Sequence, residues 1–173
     1  MRLDLMMDCD YRPGASPHEA FHESLAQAAL AEQVGLDGIW LAERHFSPSD
    51  GSGGSVPSVA STPMLLATAI AMRTQRIRVG LAVYILPLNN PVRIAEEVAS
   101  LDQISGGRFD LGVGRSALDD AYRGYGLSHA ESRARFEECL AILPKAWTEE
   151  RFSHQGNILP EIDAFVDFLR KSN

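Results

Sequence analysis

The sequence predicts an α/β fold of the (β/α) type, with parallel strands that alternate with helices. Short apolar runs alternate with longer segments that have helical periodicity, and Gly or Pro marks most of the boundaries between them. The connections are short. Alternation of this kind is typical of a parallel sheet with right-handed crossovers, so four strand–helix units are expected in succession.

The first unit begins with an apolar run at 3–7 and a loop that contains Pro13 and Gly14. A helix is expected after it, with Ser16 as N-cap, Pro17 at the first helical position and Glu19 completing a capping box. The helix should end at Gly35. The continuous apolar run at 39–42 then predicts a buried parallel strand.

The same order is expected to repeat along the chain. A Ser- and Gly-rich loop at 47–58 precedes a helix at 62–72, and later strands are expected at 77–86 and 108–113. Asn90-Pro91 opens the intervening helix and Gly106-Gly107 stops it. A further helix is predicted at 131–147, with Ser128 and Glu131 as caps and a kink at Pro144.

Four units are complete by residue 148, whereas a closed eightfold barrel takes about 250 residues. A polar link at 151–157 should lead to a short helix from Pro160 that contains Ile162, Phe165, Val166 and Leu169. The predicted organisation is therefore an N-terminal (β/α)4 portion at 1–157 and a C-terminal helix or tail at 158–173.

Composition excludes several classes of function. The formal net charge of −7 gives no reason to expect nucleic acid or an anionic membrane as partner, and no apolar run approaches the roughly 20 residues of a membrane span. Acidic residues interrupt the first eleven positions, so export is not expected and the predicted location is the cytoplasm. Cys9 and Cys139 imply neither a disulfide nor a metal site.

In parallel α/β folds, ligands bind at the carboxyl ends of the strands. Those ends are predicted to carry Asp8, residues 43–46, residues 87–91 and residues 114–116. Arg115 can hold a phosphate by charge-assisted hydrogen bonds, and His45 can act as an acid–base group or as a ring partner.

Four segments together resemble the bacterial luciferase-like family of flavin-dependent monooxygenases. They are residues 35–46 (GLDGIWLAERHF), 76–87, 90–97 and 101–115 (LDQISGGRFDLGVGR), within a match that runs in order from residue 1 to about 157. The resemblance implies a TIM barrel of which about half is present. It also implies reduced flavin mononucleotide (FMN), molecular oxygen, a small organic substrate and a flavin reductase as partners.

The resemblance also implies roles for individual residues. His45 and Arg44 would border the isoalloxazine and the substrate as catalytic residues, and Glu43 would belong to the cofactor site. Ala82 and Val83 would lie against the ring, joined by the non-proline cis peptide that family members have in the matching strand. Arg115 and Ser116 would approach the ribityl phosphate. A deazaflavin in place of FMN is the alternative cofactor.

This chain departs from the family pattern at particular points. Arg44 stands where some members have the first of two histidines, which is their catalytic one, so His45 is the expected acid–base group. Gly114 stands where the luciferase has a reactive cysteine. After residues 154–157 the family would continue into the second half of its barrel, so either the protein is truncated or an intervening segment is missing.

Other interpretations remain open. Residues 18–22 spell the H-E-x-x-H zinc motif, but Glu19 is better used in the capping box, and no metal site is expected. A truncated, non-catalytic flavin-binding protein and an unrelated TIM-barrel enzyme are the alternative functions. A homo-oligomer is expected, because an open sheet would expose its edge strands and an inner face made of Leu5, Ile39, Leu41, Val79, Leu81 or Leu111.

Overall fold

The computed structural model describes residues 1–10, 14–46 and 58–165. The elements there are β1 (Asp4–Met7), α1 (Pro17–Gln33), β2 (Gly38–Leu41), α2 (Pro63–Arg73), β3 (Arg78–Ile85), α3 (Pro91–Ser105), β4 (Phe109–Gly114), α4 (Asp119–Gly124), α5 (Ser132–Thr148), β5 (Arg151–His154) and β6 (Ile162–Phe165). Short 3-10 turns cover Leu86–Leu88 and His129–Glu131. Residues 47–57 of the predicted Ser- and Gly-rich loop lie outside the described residues.

The four strands β1 to β4 form one parallel sheet in sequential order, which confirms the predicted α/β class. Leu5 is in register with Ile39, and Ile39 with Val79. One register position on, Met6, Trp40 and Gly80 are aligned on the opposite face of the sheet, because successive side chains of a strand alternate between faces.

The expectation for the inner face was wrong for most of its residues. Ile39, Leu41, Val79 and Leu81 have no exposed surface in the chain itself, so they are core residues and not an open apolar face. The other face carries Met6 and the polar pairs Asp4–Trp40 and Arg78–Asp110. A homo-oligomer therefore stays a prediction that rests on the sheet edges alone.

The chain divides into two compact units. The first comprises residues 1–84 and 104–112, and the second comprises residues 85–103 and 113–173. In the first unit α1 packs against α2. In the second unit Ile85, Leu88, Ala121 and Tyr122 form a buried cluster, with Leu127 packed against it. The predicted division near residue 157 stays a prediction.

The start of α1 is the capping box that the sequence predicts. The Ser16 hydroxyl accepts a hydrogen bond from the Glu19 backbone N–H at 3.2 Å, and the Ser16 N–H donates to the Glu19 carboxylate at 2.8 Å. The exposed rings of His18 and His22 lie 4.4 Å apart on the adjoining turn. Glu19 thus serves the helix terminus, where orphan N–H groups need acceptors.

The start of α5 differs from the expectation. A 3-10 turn at His129–Glu131 precedes the helix, and neither Ser128 nor Glu131 makes a side-chain capping bond. The helix continues through Pro144 to Thr148. The short helix α4 was not predicted, because six residues hold too little periodicity to mark an element.

The helix predicted from Pro160 is wrong for the part that the structure describes. Ile162–Phe165 form β6, which pairs antiparallel with β5 in the segment expected to be a polar link. Phe152 is buried between two exposed neighbours, which is the period of a strand, and Arg151 pairs with Asp163 at 2.6 Å. A short isolated helix is marginal, so strand pairing prevails. Residues 166–173 lie outside the described part. No helix described here is long and apolar enough to cross a membrane.

Candidate functional site

Two buried side chains meet at the carboxyl end of β2. His45 Nε2 lies 2.7 Å from Glu43 Oε1, and the two side chains are only 5% and 2% exposed. Such deep burial of a carboxylate requires a hydrogen-bonding partner, and the imidazole supplies one. Because one ring nitrogen faces Glu43, the carboxylate limits the orientation and tautomer of His45.

Arg44, between these two residues, lies at the surface. Its guanidinium donates to Asp8 at 3.0 Å, and the two side chains are 33% and 48% exposed. Asp8 directly follows β1, so this ion pair connects the ends of two neighbouring strands. The Arg44 backbone N–H donates to the Ala60 carbonyl at 3.1 Å, which ties the segment after β2 to the segment before α2.

Asp10, just beyond β1, has a raised pKa. Burial is the largest cause, the negative charge of Asp8 adds to it, and the positive charge of Arg44 opposes it. Asp10 also pairs with Ser58 in an isolated antiparallel bridge. Two acidic groups and one guanidinium therefore share the ends of β1 and β2, which gives this edge of the first unit a concentrated charge.

The Ala82–Val83 peptide bond in β3 is cis, as the resemblance predicts. Val83 is 36% exposed and Ala82 before it is half-buried, whereas residues 79–81 of the same strand are buried. Earlier in β3, Gly80 lies beneath the indole of Trp40, and a Cβ built on Gly80 would come within 2.5 to 2.9 Å of the ring atoms. Trp40 Nε1 donates to Asp4 at 3.0 Å, which holds the indole along the sheet.

Arg115 belongs to the second unit and directly follows β4. Its guanidinium Nη1 donates to the Ser132 hydroxyl at 3.1 Å, and its backbone carbonyl accepts a hydrogen bond from the Tyr122 hydroxyl. No carboxylate pairs with Arg115 among residues 1–10, 14–46 and 58–165. An exposed guanidinium without a carboxylate keeps its charge available for an external anion.

Ser116 has a left-handed backbone with φ of 58°, and its hydroxyl accepts a hydrogen bond from the Leu118 N–H at 3.2 Å. Its side chain therefore shapes the turn between β4 and α4. The same turn leads to Tyr122, which burial keeps rigid and whose pKa burial raises, with opposing contributions from Ser132 and Arg115.

The structure thus brings together some of the predicted residues. Glu43 and His45 contact each other in the first unit, whereas Arg44 turns away to Asp8; Arg115 and Ser116 are consecutive in the second unit. Tyr122 and Ser132 are contacts of Arg115 that were not predicted. They lie 7 and 17 residues further along the chain, and no sequence pattern links them to Arg115.

The family comparison matches nearly the whole chain. The model of the luciferase-like monooxygenases matches residues 1–171. Limonene 1,2-monooxygenase of Rhodococcus erythropolis is 30% identical over 163 residues, which are 94% of this chain and 40% of that protein. F420-dependent glucose-6-phosphate dehydrogenase of Amycolatopsis mediterranei is 32% identical over 144 residues, 80% of this chain and 41% of that protein.

Solved structures show the same fold. Monooxygenase RslO1 from Streptomyces bottropensis superposes with a TM-score of 0.88 at 27% identity, over 99% of this chain and 50% of that one. The oxygenating constituent of 3,6-diketocamphane monooxygenase from Pseudomonas putida, solved in complex with FMN, gives a TM-score of 0.83 at 27% identity, over 94% of this chain and 43% of that one.

This chain spans about 40% of the length of those curated relatives and half or less of the two solved chains. The match to the family model over residues 1–171 agrees with the parallel sheet that the structure shows. This chain belongs to the luciferase-like monooxygenase family.

Proposed function

We propose that the protein is an FMN-dependent monooxygenase that oxidises a small organic substrate. In the overall reaction, reduced FMN, O2 and the substrate give oxidised FMN, one water and a product that carries one oxygen atom. Reduced flavin, when bound, supplies the two electrons that this reaction needs. A separate flavin reductase would regenerate it, and the residues of this chain would bind, orient and shield the reacting groups.

The proposal rests mainly on the exposure and the hydrogen-bonding partners of the Arg115 guanidinium. Its guanidinium is exposed, makes one hydrogen bond to a neutral hydroxyl, and has no carboxylate partner among the described residues. Five N–H donors in a planar fork suit a phosphate, and such charge-assisted bonds are stronger than neutral ones. We assign Arg115, with Ser116 beside it, to the phosphate of the cofactor.

In the first unit we assign the ring and the substrate to the segment after β2. His45 is proposed as the acid–base group, because an imidazole can gain or lose a proton near neutral pH. Glu43, which is almost fully buried, would act through the orientation of His45 and not by touching the substrate. Arg44 would contribute the positive charge of a guanidinium that Asp8 positions.

We further assign the backbone at Ala82 and Val83 to the surface that meets the flavin ring. Val83 is the exposed position of this part of β3. The assignment is tested by Val83→Asp, which would place a charge against an apolar ring and weaken flavin binding. A matched change at an exposed apolar position of α2, Leu65→Asp, should leave binding unchanged.

The proposal is tested by titration of the purified protein with FMN, followed by turnover. Arg115→Ala should weaken FMN binding by a few kcal/mol, the cost of a lost charge-assisted contact, or about a hundredfold. Arg133→Ala removes an equal charge from an exposed pair with Glu137 and serves as control. Equal affinity of wild type and Arg115→Ala would refute the assigned role.

Turnover distinguishes the monooxygenase from a non-catalytic flavin-binding protein. With a flavin reductase and limonene as a probe, an active enzyme should incorporate one atom of labelled O2 into the product, and His45→Ala should reduce this incorporation. Binding of FMN with no incorporation for any of a panel of apolar substrates would favour the non-catalytic alternative.

A deazaflavin is the second candidate cofactor. It is supported by the relative whose name describes it as F420-dependent. Deazaflavins transfer hydride and do not activate O2, so the two cofactors predict different reactions. Competition between FMN and a deazaflavin for the same protein, read by fluorescence, decides which one binds more tightly.

A further inference from the structure

We infer that Tyr122 and Ser132 make the cofactor site selective for a phosphorylated flavin, because they position Arg115. The inference rests on the proposed function and adds two positioning residues to it. It concerns the second unit alone, since all three residues belong to that unit.

Tyr122 holds the backbone of Arg115. It has no exposed surface, and it is enclosed by Ile85, Leu88 and Ala121, so its ring is a rigid anchor. From there its hydroxyl donates to the Arg115 carbonyl. Tyr122, seven residues further along the chain, therefore determines the direction that the backbone takes at Arg115, directly after β4.

Ser132 holds the side chain of Arg115. It is 3% exposed at the first position of α5, and its hydroxyl accepts from Arg115 Nη1 at 3.1 Å. A long side chain that is fixed at both its backbone and its tip loses little further rotamer freedom when it binds an anion. Among the described residues, this is the hydrogen bond that the guanidinium donates, so its other N–H groups can bind an anion.

The charges near Arg115 in sequence are already paired with other groups. On α4, Asp120 pairs with Arg123, whose Nη1 also lies 3.8 Å from Asp119, and His129 Nδ1 lies 3.9 Å from Asp119. The partners of these two carboxylates thus lie on α4 itself and in the 3-10 turn that follows it. Because Asp119 and Asp120 pair with other groups, we expect the Arg115 guanidinium to bind a dianionic group of a ligand instead of these carboxylates.

The experiment measures the ratio of the dissociation constants of riboflavin and FMN, which differ only by the phosphate. Wild type should prefer FMN by about a hundredfold, the scale of a charge-assisted contact. Tyr122→Phe and Ser132→Ala should each lower this preference about tenfold, with riboflavin affinity within about twofold of wild type. Arg133→Ala should keep the wild-type ratio.

A ratio is informative even when a variant is partly unfolded, because inactive protein affects both ligands equally. A purely structural role for Tyr122 and Ser132 would weaken FMN and riboflavin alike and keep the ratio, which would overturn the inference. A wild type that binds riboflavin as tightly as FMN would instead refute the phosphate assignment of Arg115 in the proposed function.

Discussion

His45 Nε2 lies 2.7 Å from Glu43 Oε1, and this contact is nearly closed to solvent, although Arg44 between them is one-third exposed. This three-residue segment therefore presents the Arg44 guanidinium at the surface and keeps the Glu43–His45 pair inside.

The first prediction concerns this pair. Glu43→Gln replaces the carboxylate of a buried hydrogen bond with an amide, and we expect the free energy of unfolding to fall by about 1 to 3 kcal/mol. Urea denaturation measures it. Glu96→Gln on α3, whose carboxylate is half-exposed and lies 3.7 Å from Arg93, should change stability by less than about 0.5 kcal/mol. Equal stability of the two variants would contradict the importance of the pair.

The second prediction concerns the contact between Gly80 and Trp40. A methyl group at Gly80 would meet the indole at 2.5 to 2.9 Å, so Gly80→Ala should destabilise the protein by about 1 to 3 kcal/mol through overpacking. Trp40→Leu removes the ring that clashes. In a double-mutant cycle, the Gly80→Ala change should therefore cost less in the Trp40→Leu background. Additive costs would show that the clash lies elsewhere.

The third prediction concerns Arg108, at the start of β4. Its guanidinium donates to the carbonyls of Ser105, Ala71, Ile77 and Thr74 at 2.8 to 3.2 Å, which satisfies the ends of two helices. Arg108→Lys keeps the charge but loses the fork, so thermal and chemical unfolding should show a loss of about 2 to 3 kcal/mol. The exposed Arg73 is the control, since Arg73→Lys should be neutral.

The fourth prediction concerns pH and Glu138, whose carboxylate accepts backbone hydrogen bonds from Asn157, Ile158 and Leu159 at 2.8 to 3.1 Å. Burial raises its pKa, but these N–H groups and His154 outweigh burial, so the pKa lies below its ordinary value of 4.5. The charged form therefore stabilises the fold above about pH 4.5, and this stabilisation is lost as the pH falls through the lowered pKa.

The measurement for Glu138 compares wild type with Glu138→Gln across this pH range. Wild type should be more stable by about 1 to 2 kcal/mol near neutral pH, and the difference should shrink on acidification because protonated Glu resembles Gln. Glu137→Gln, one residue earlier and exposed, is the control. A difference that does not depend on pH would show that the charge of Glu138 is not what holds residues 157–159.

Local patterns in the sequence were sufficient for every helix and strand up to Thr148 except α4. The capping box at Ser16 and the glycine stops after α1 and α3 depend only on neighbouring residues, and the boundaries of α1, α2, α3 and α5 were each predicted within one or two positions. The cis bond at Ala82–Val83 was predicted from the family resemblance, because no local pattern of two apolar residues indicates such a bond.

Of the site residues, His45, Arg44 and Arg115 could be named from the sequence because each follows a predicted strand, and the ends of parallel strands carry the ligand sites of such folds. Their partners could not be named. Whether Arg44 or Glu43 faces His45 depends on how the chain leaves β2, and Tyr122 reaches Arg115 only through a helix too short to predict.

The sequence by itself therefore determined the order and type of the first nine elements other than α4, together with the family, because propensity, caps and periodicity act within a few residues. Only the tertiary structure showed which face of the sheet is buried and that β5 and β6 pair where a helix was expected. It also identified the groups that contact His45, Arg115 and Glu138. These features depend on contacts between residues that are distant in the sequence. Burial and hydrogen bonding stabilise such contacts only when the chain has folded, so local propensity does not predict them.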